Sequence, residues 1–382
     1  MTQTVGLNLL WLVPGVVGGS EAYATGLLAP LVERDDIAVV AFGLPGFVKQ
    51  YPRLAAAAHT VVPPIPEGRH VMRRVLVENA WLPRQLRAQR VDLVHHLGGI
   101  VPPGCRVPAV VTLHDLQYLA YPAYFSAAKR RYLGITQGRS LKRAEVVTAV
   151  SDFTRTQAID AFDLDPARVV VVPPLVGPMP AVPKARRAKL LGELGVRDRY
   201  ILYPAATYPH KNHAVLLEAF AQVVKTYDVS LVLTGAVGAG AWGSAHSTRA
   251  EVADQVARLG IDERVRMLGY VASEQLAALY AGASMLAFPS RFEGFGIPVV
   301  EAMAAGCPVV AADATALPSL VGGAGVLVDP DDPHAWAVAI SDILGDDGKR
   351  QRLSDAGRAR AATLAAVDPV QLLVDVYARV GT

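Results

Sequence analysis

Short apolar, β-branched runs alternate along this chain with longer stretches in which apolar positions recur every third or fourth residue, and the alternation occurs in two separate series. Strand and helix periods taken in turn are how parallel α/β sheets read. In the first series the predicted strands are VGLNLLWLV, DIAVVAFG, HTVVP, VDLVHHL, AVVTLH, AEVVTAVS and RVVVVP, with helices over EAYATGLLAPLVE, RRVLVENAWLPRQLRAQ and AKRRYLGITQGRSLKR. The segment PPLVGPMPAVP, Pro173–Pro183, holds too many prolines for either element and is predicted to be a stiff connector. The second series reads RYILYPAAT, NHAVLLEAFAQVV, VSLVLTGAV, TRAEVADQVARLG, RVRMLGYV, SEQLAALYAGA, SMLAFPS, PVVEAMAAG, CPVVAAD and GVLVDP. Two doubly wound domains are therefore expected, over 1–175 and 185–367, with a last helix at about 368–382 packing back on the first. Ligands of such sheets bind at the carboxyl ends of the strands, so chemistry is sought in the loops there.

Composition narrows the class. With 382 residues and 52% hydrophobic content the chain can bury two cores. Cys105 and Cys307 match neither a zinc nor a redox spacing and are expected to be reduced, which points to the cytoplasm. The apolar N-terminal run has no basic residue before it and is broken by Asn8 and Pro14, so it reads as a first strand rather than a signal peptide. No later run reaches about 18 uninterrupted apolar residues, and no transmembrane helix is expected. Net charge is only +3, yet residues 68–143 carry thirteen Lys/Arg (Arg69, Arg73, Arg74, Arg84, Arg87, Arg90, Arg106, Lys129, Arg130, Arg131, Arg139, Lys142 and Arg143) against Glu78, Asp92 and Asp115. That excess is either a set of solvated helix faces or a surface for an anionic partner: membrane headgroups, a phosphorylated acceptor, or nucleic acid.

Four loops carry candidate chemistry. Gly18 and Gly19 follow the first strand, where they permit a tight turn, with Ser20 placed to cap the next helix. His114 and Asp115 end the strand AVVTL, where a histidine can bond a substrate hydroxyl or carry a proton. Lys211, with Asn212 as the expected cap, sits at a strand-to-helix junction suited to a phosphate. In FPSRFEGFGIPVVEAMAAG, Pro298 falls in the opening turn of a helix that Gly306 ends, with Glu293 in the preceding loop and Glu301 expected near the first turn. On one continuous helix those glutamates would be roughly 80° and about 12 Å apart. Each carboxylate can accept hydrogen bonds from vicinal hydroxyls while the helix N-terminus between them meets an anion, a pattern that fits a nucleotide sugar. No H-E-x-x-H, C-x-x-C, G-x-S-x-G or P-loop is present, so no metal and no cofactor are expected.

At these residues the chain resembles the family-4 retaining glycosyltransferases of the GT-B fold. The likeness runs through GGSEAY, TLHDLQYLAYP, VVTAVSDFTR, PHKNHAVLLEAF, VRMLGYVASEQLAALYAGA, FPSRFEGFGIPVVEAMAAGCPVVAA and GVLVDPDDP, and the Glu-x7-Glu element is its most specific part. The resemblance implies two Rossmann-like domains facing a central cleft, the first binding the acceptor and the second the nucleotide-sugar. It implies that Glu293 binds donor-sugar hydroxyls and Glu301 the ribose. The N–H groups of Gly294, Phe295, Gly296 and Ile297, together with Lys211, would meet the diphosphate, with Gly18 and Gly19 closing over it. His114 would lie near the transferring sugar, and Gly269, Tyr270 and Val271 would contact the base largely through backbone. Two departures stand out: Ala205-Ala206-Thr207 occupies the place where many relatives carry a second phosphate-clamping arginine, and Ser319 stands where relatives often have glutamate.

The reading that results is a cytoplasmic, metal-independent transferase whose expected substrates are a nucleotide-sugar donor, GDP-mannose by likeness to mannosyl- and rhamnosyl-transferring relatives, and a glycan or lipid-linked acceptor in cell-envelope polysaccharide synthesis. Peripheral contact with an anionic membrane is expected, and nucleic acid is not. Two alternatives stay open: a GT-B-like nucleotide-sugar epimerase, and a protein that binds a sugar nucleotide without turnover.

Overall fold

The computed structural model describes residues 2–65, 71–177, 179–196, 199–235 and 249–380; Arg69 of the basic set, Thr248 and the end of VSLVLTGAV lie outside them. The chain forms two compact units, one of Met1–Pro122, Ser126–Leu175 and Asp368–Thr382, the other of Ala123–Phe125 and Val176–Val367.

The first unit is built on β1 (Gln3–Leu9), β2 (Ile37–Gly43), β3 (Leu93–His96), β4 (Ala109–Leu113), β5 (Val146–Ala149) and β6 (Val169–Val171). These form one sheet in the order β2-β1-β3-β4-β5-β6, with parallel pairs throughout. Their β-branched and apolar residues are covered by helices on both faces, so Val5, Leu7, Phe42, Val94 and Val111 are buried. The predicted strand HTVVP does not form: Val61 makes only an isolated bridge to Phe42. Pro63 and Pro64 follow at once and supply no N–H to a ladder.

Sidedness matters at two adjacent histidines. Fully buried His95 hydrogen-bonds Tyr377 Oη (2.8 Å) and Thr112 Oγ1 (2.7 Å), whereas His96 Nδ1 meets Asn8 Nδ2 at 3.0 Å. Thr112 bonds Thr148 at 2.8 Å, so a polar thread links β3, β4 and β5 to the last helix, Pro369–Val380. That helix buries Leu373, Val376 and Tyr377, and the Tyr377 carbonyl accepts a 3.2 Å bond from Gln3 at the start of β1.

The second unit contains β7 (Tyr200–Pro204), β8 (Ser230–Thr234), β9 (Val265–Gly269), β10 (Met285–Phe288), β11 (Val309–Ala312) and β12 (Val326–Val328). Their order is β12-β11-β10-β7-β8-β9, again with parallel pairing. Ile201, Leu202, Val232, Leu286 and Phe288 form its core, with Trp336 fully buried and its Nε1–H donated to Asp329 O at 2.9 Å.

Among the described residues, one stretch, Asp347–Val380, is long and apolar enough by composition to cross a membrane. It is two helices rather than one. Asp347–Ala365 ends before Asp368, whose Oδ1 accepts from Val370 N–H (2.9 Å) and Gln371 N–H (3.0 Å) and so starts Pro369–Val380 afresh.

Each sheet has a switch point, where neighbouring strands send their connections to opposite sides: β1 and β3 in the first, β7 and β10 in the second. The loops leaving those strands open a crevice there.

Candidate functional site

The β7 loop passes through a 3-10 turn, Pro209–Lys211, and the β10 loop runs from Pro289 to Gly296. The two are stitched together by backbone: Arg291 N–H donates to His210 O at 2.8 Å, and Ser290 Oγ bonds His210 O (3.3 Å) and Phe292 O (3.2 Å). This brings Lys211 Nζ to 2.6 Å from Glu293 Oε1, with the two side chains only 18% and 11% exposed. A third loop joins them, since Glu293 N–H donates to Thr315 Oγ1 at 3.0 Å after β11. Tyr203 Oη holds the Lys211 carbonyl from below. A cation and a carboxylate are thus positioned by a rigid frame at the second sheet's switch point.

Asn212 is not the expected cap. It stands in the left-handed region (φ 58°), makes no side-chain cap bond, and spends Nδ2 on Pro289 O (3.2 Å) and Pro330 O (2.6 Å). It fastens the loops to one another instead. Ser20 likewise caps nothing: the helix begins at Gly19, Gly18 precedes it at φ 60°, and no side chain bonds that end. Glu21 does the positioning there. It is 8% exposed, and its oxygens accept Gly15 N–H (2.8 Å) and Tyr51 Oη (2.6 Å), which fixes the glycine loop.

The helix after β10 runs Ile297–Ala305, with Pro298 in its first turn and Gly306 closing it at φ 73°. Gly296 is at φ 110°, and a Cβ there would lie 2.8 Å from Leu317 Cδ2, so the approach to this helix end requires glycine. Glu301 sits in the second turn rather than the first, because the helix starts only at Ile297; helix-end electrostatics therefore do not account for it. One of its oxygens accepts from Tyr280 Oη at 2.8 Å, and burial pushes its carboxyl above the usual range. At the end of β9, the Gly269 carbonyl is already bonded by Thr234 Oγ1 (2.6 Å) and Gly235 N–H (2.8 Å), while Tyr270 is 78% exposed. Gly235 comes so close that a Cβ there would meet the Ala205 carbonyl carbon at 2.6 Å, so this position requires glycine. Ser319 bonds Ala316 O at 3.1 Å.

His114, after β4, is locked in place. Its Nε2 lies 2.8 Å from the Leu97 carbonyl and must donate, which leaves Nδ1 as a lone-pair acceptor. Burial lowers its pKa, and the Tyr23 ring meets it edge-on at 5.2 Å. A neutral ring with this tautomer binds a hydroxyl proton better than it carries one.

The structure therefore joins Lys211 to Glu293, places Phe295–Ile297 beside them, sets Glu301 against Tyr280, and puts Gly269–Val271 two strands away from β7. Gly18, Gly19 and His114 belong to the first unit. Glu21, Tyr280 and Thr315 had no sequence signal of their own, since each acts through a partner distant in the chain. Of the basic set, Arg84, Arg87 and Arg143 are spent on carbonyls of Ala80, Pro83, Pro102 and Pro103. Both cysteines are buried and free, and no group of three metal-ligating side chains occurs among the described residues.

The family model described as Glycosyl transferases group 1 matches residues 192–360, and that described as Glycosyltransferase Family 4 matches residues 17–178. O-antigen chain mannosyltransferase B of Escherichia coli is 32% identical over 292 residues, covering 74% of this chain and 72% of that protein. The D-inositol 3-phosphate glycosyltransferase of Salinispora tropica is 32% identical over 319 residues, 76% of this chain and 66% of that protein. The structure of Anabaena Alr3699/HepE in complex with UDP and glucose matches with a TM-score of 0.77 at 24% identity, over 99% of this chain and 100% of that one, a likeness of fold.

Proposed function

This chain belongs to the family-4 glycosyltransferases with the GT-B fold, and from that premise we propose that it transfers a mannosyl group from GDP-mannose, with retention of configuration and without a metal, to a glycan or lipid-linked acceptor in cell-envelope polysaccharide synthesis. The observation that carries the donor site is the Lys211–Glu293 pair at the β7/β10 switch point. Without ligand, each group satisfies the other. A nucleotide sugar offers each a better partner: phosphate oxygens for the ammonium, and vicinal hydroxyls for the carboxylate.

In this reading Lys211 and the N–H groups of Gly294–Ile297 hold the diphosphate and stabilise the charge it gains as the anomeric bond breaks. Glu293 accepts hydrogen bonds from the transferring sugar, and His114 Nδ1 accepts another. Glu301, steadied by Tyr280, takes the ribose hydroxyls, and exposed Tyr270 with Val271 contacts the base. Gly18 and Gly19 approach the diphosphate. Glu293 is held by Lys211 and Thr315 as a hydrogen-bonding group, which suits attack on the same face as the departing diphosphate with no covalent enzyme intermediate. Mannose as the sugar rests on the Escherichia coli relative's name.

The first unit is assigned the acceptor. Its helix Ala127–Arg143 carries Arg130, Arg131, Arg139 and Lys142 beside exposed Ile135, a surface suited to an anionic membrane. A donor panel of GDP-mannose, UDP-glucose, UDP-N-acetylglucosamine and dTDP-rhamnose, incubated with membrane lipid extract, tests the proposal. Transfer from GDP-mannose, unaffected by EDTA, is expected. Donor conversion without an acceptor would identify an epimerase, and binding without any product would identify a sugar-nucleotide-binding protein.

A further inference from the structure

The first sheet has its own switch point, between β1 and β3. Asn8 lies near the end of β1 and His96 ends β3. Asn8 Oδ1 accepts the Leu10 N–H at 3.1 Å, which fixes the amide's orientation, so Nδ2 is the atom that donates to His96 Nδ1 at 3.0 Å. The proton of neutral His96 is then on Nε2, a buried donor with no partner among the described residues. Two more donors share that condition, Trp11 Nε1 and Arg74 Nε. Arg74 reaches the Trp11 carbonyl at 3.5 Å, so these groups are neighbours.

The same crevice receives a carboxylate. Glu78 lies in a π-helical turn, Val77–Trp81, closed by Leu82 N–H to Val77 O, just ahead of Pro83, which has no N–H to give. Such single widened turns recur at functional sites. Glu78 stands one helical turn from Arg74, whose charge it faces, with the Asn8 side chain also acting on it, and burial pushes its carboxyl above the usual range.

An unpartnered buried donor is costly, and three beside a half-buried carboxylate define what would relieve them. A phosphate would satisfy the donors but meet Glu78 as a like charge. A hydroxyl accepts from an N–H and donates to a carboxylate at once. We propose that the β1/β3 crevice is a saccharide subsite for the acceptor: Glu78 accepts from vicinal hydroxyls of an uncharged sugar, while Arg74 and Trp11 donate to their oxygens after rotation of the half-exposed Arg74 side chain. The proposal rests on the transferase reading for the word acceptor, but the sugar-binding chemistry stands on these residues alone.

Ligand-detected NMR on the full chain tests it, with methyl glycosides of mannose, glucose, galactose, N-acetylglucosamine and rhamnose as probes, mannose 6-phosphate as the anionic comparison, and calorimetric GDP binding as control. At least one methyl glycoside is expected to bind the wild type, and more tightly than mannose 6-phosphate does. Glu78→Gln, nearly isosteric, and Trp11→Phe, which removes the indole N–H together with part of the ring, should each weaken it about tenfold while leaving GDP affinity unchanged in protein that remains folded. No glycoside binding by the wild type, equal binding by both variants, or preference for the phosphorylated sugar would overturn the proposal. Glu78-dependent glycoside binding with no transfer from any donor would sink the transferase reading and leave the subsite standing.

Discussion

Glu293 and Lys211 are each other's nearest charge, and removing one leaves the other largely buried without a counterion. Lys211→Ala should lower stability by about 3 kcal/mol in urea denaturation, and adding Glu293→Ala should restore part of that loss, since the double variant buries no lone charge. If the single and double variants were equally stable, the pair would not be coupled in solution. Buried His95 and His96, each held at a pKa of about 3, give a second residue-scale expectation. Unfolding returns them to the ordinary value near 6.5, so the unfolded chain binds more protons at low pH and stability rises with pH. Below about pH 6.5 each ring should cost about 1.4 kcal/mol per pH unit, a loss that continues down towards the folded value and that His95→Gln should reduce. Glu293, Lys211 and His114 could be singled out in the sequence because their residue types follow strands, and Glu301 because it falls in the helix that Pro298 opens. Glu21 and Thr315 were not, because a hydrogen bond to a distant loop leaves no local pattern.

Elements show where local preference and tertiary need part company. The glycine before the Ile297–Ala305 helix is the sharpest case: φ 110° and a neighbour at 2.8 Å exclude a Cβ. Gly296→Ala should cost about 2 kcal/mol, from backbone strain together with the clash at Leu317, and should abolish transfer by moving the helix end; a variant with normal melting temperature and activity would contradict this. Most strands could be read from apolar runs, since parallel strands are buried on both faces. HTVVP failed because the prolines after it deny it a ladder. The Pro83 region kept its helix by widening one turn, which no periodicity announces. Asn212 looked like a cap from its place in the sequence, yet its amide was needed by two carbonyls from other loops.

For the molecule as a whole, the division into two α/β units with a C-terminal helix returning to the first follows from the alternation of patterns and the proline-rich connector. The specific anchor, Tyr377 on His95, was invisible because 282 residues separate them. Tyr377→Phe should lower the stability of the first unit by about 1–3 kcal/mol, by stranding a buried ring nitrogen, and should shift one of two calorimetric transitions. A shift of both together would show that the units unfold as one. The central claim is that Lys211 and Glu293 hold the donor, and the most direct test is initial-rate sugar transfer from the active nucleotide sugar by the wild type, Lys211→Ala and Glu293→Gln. We predict losses of at least about a hundredfold for both variants, the size of about 2.7 kcal/mol of lost transition-state stabilisation, in protein that remains folded. Full transfer by either folded variant would contradict the account.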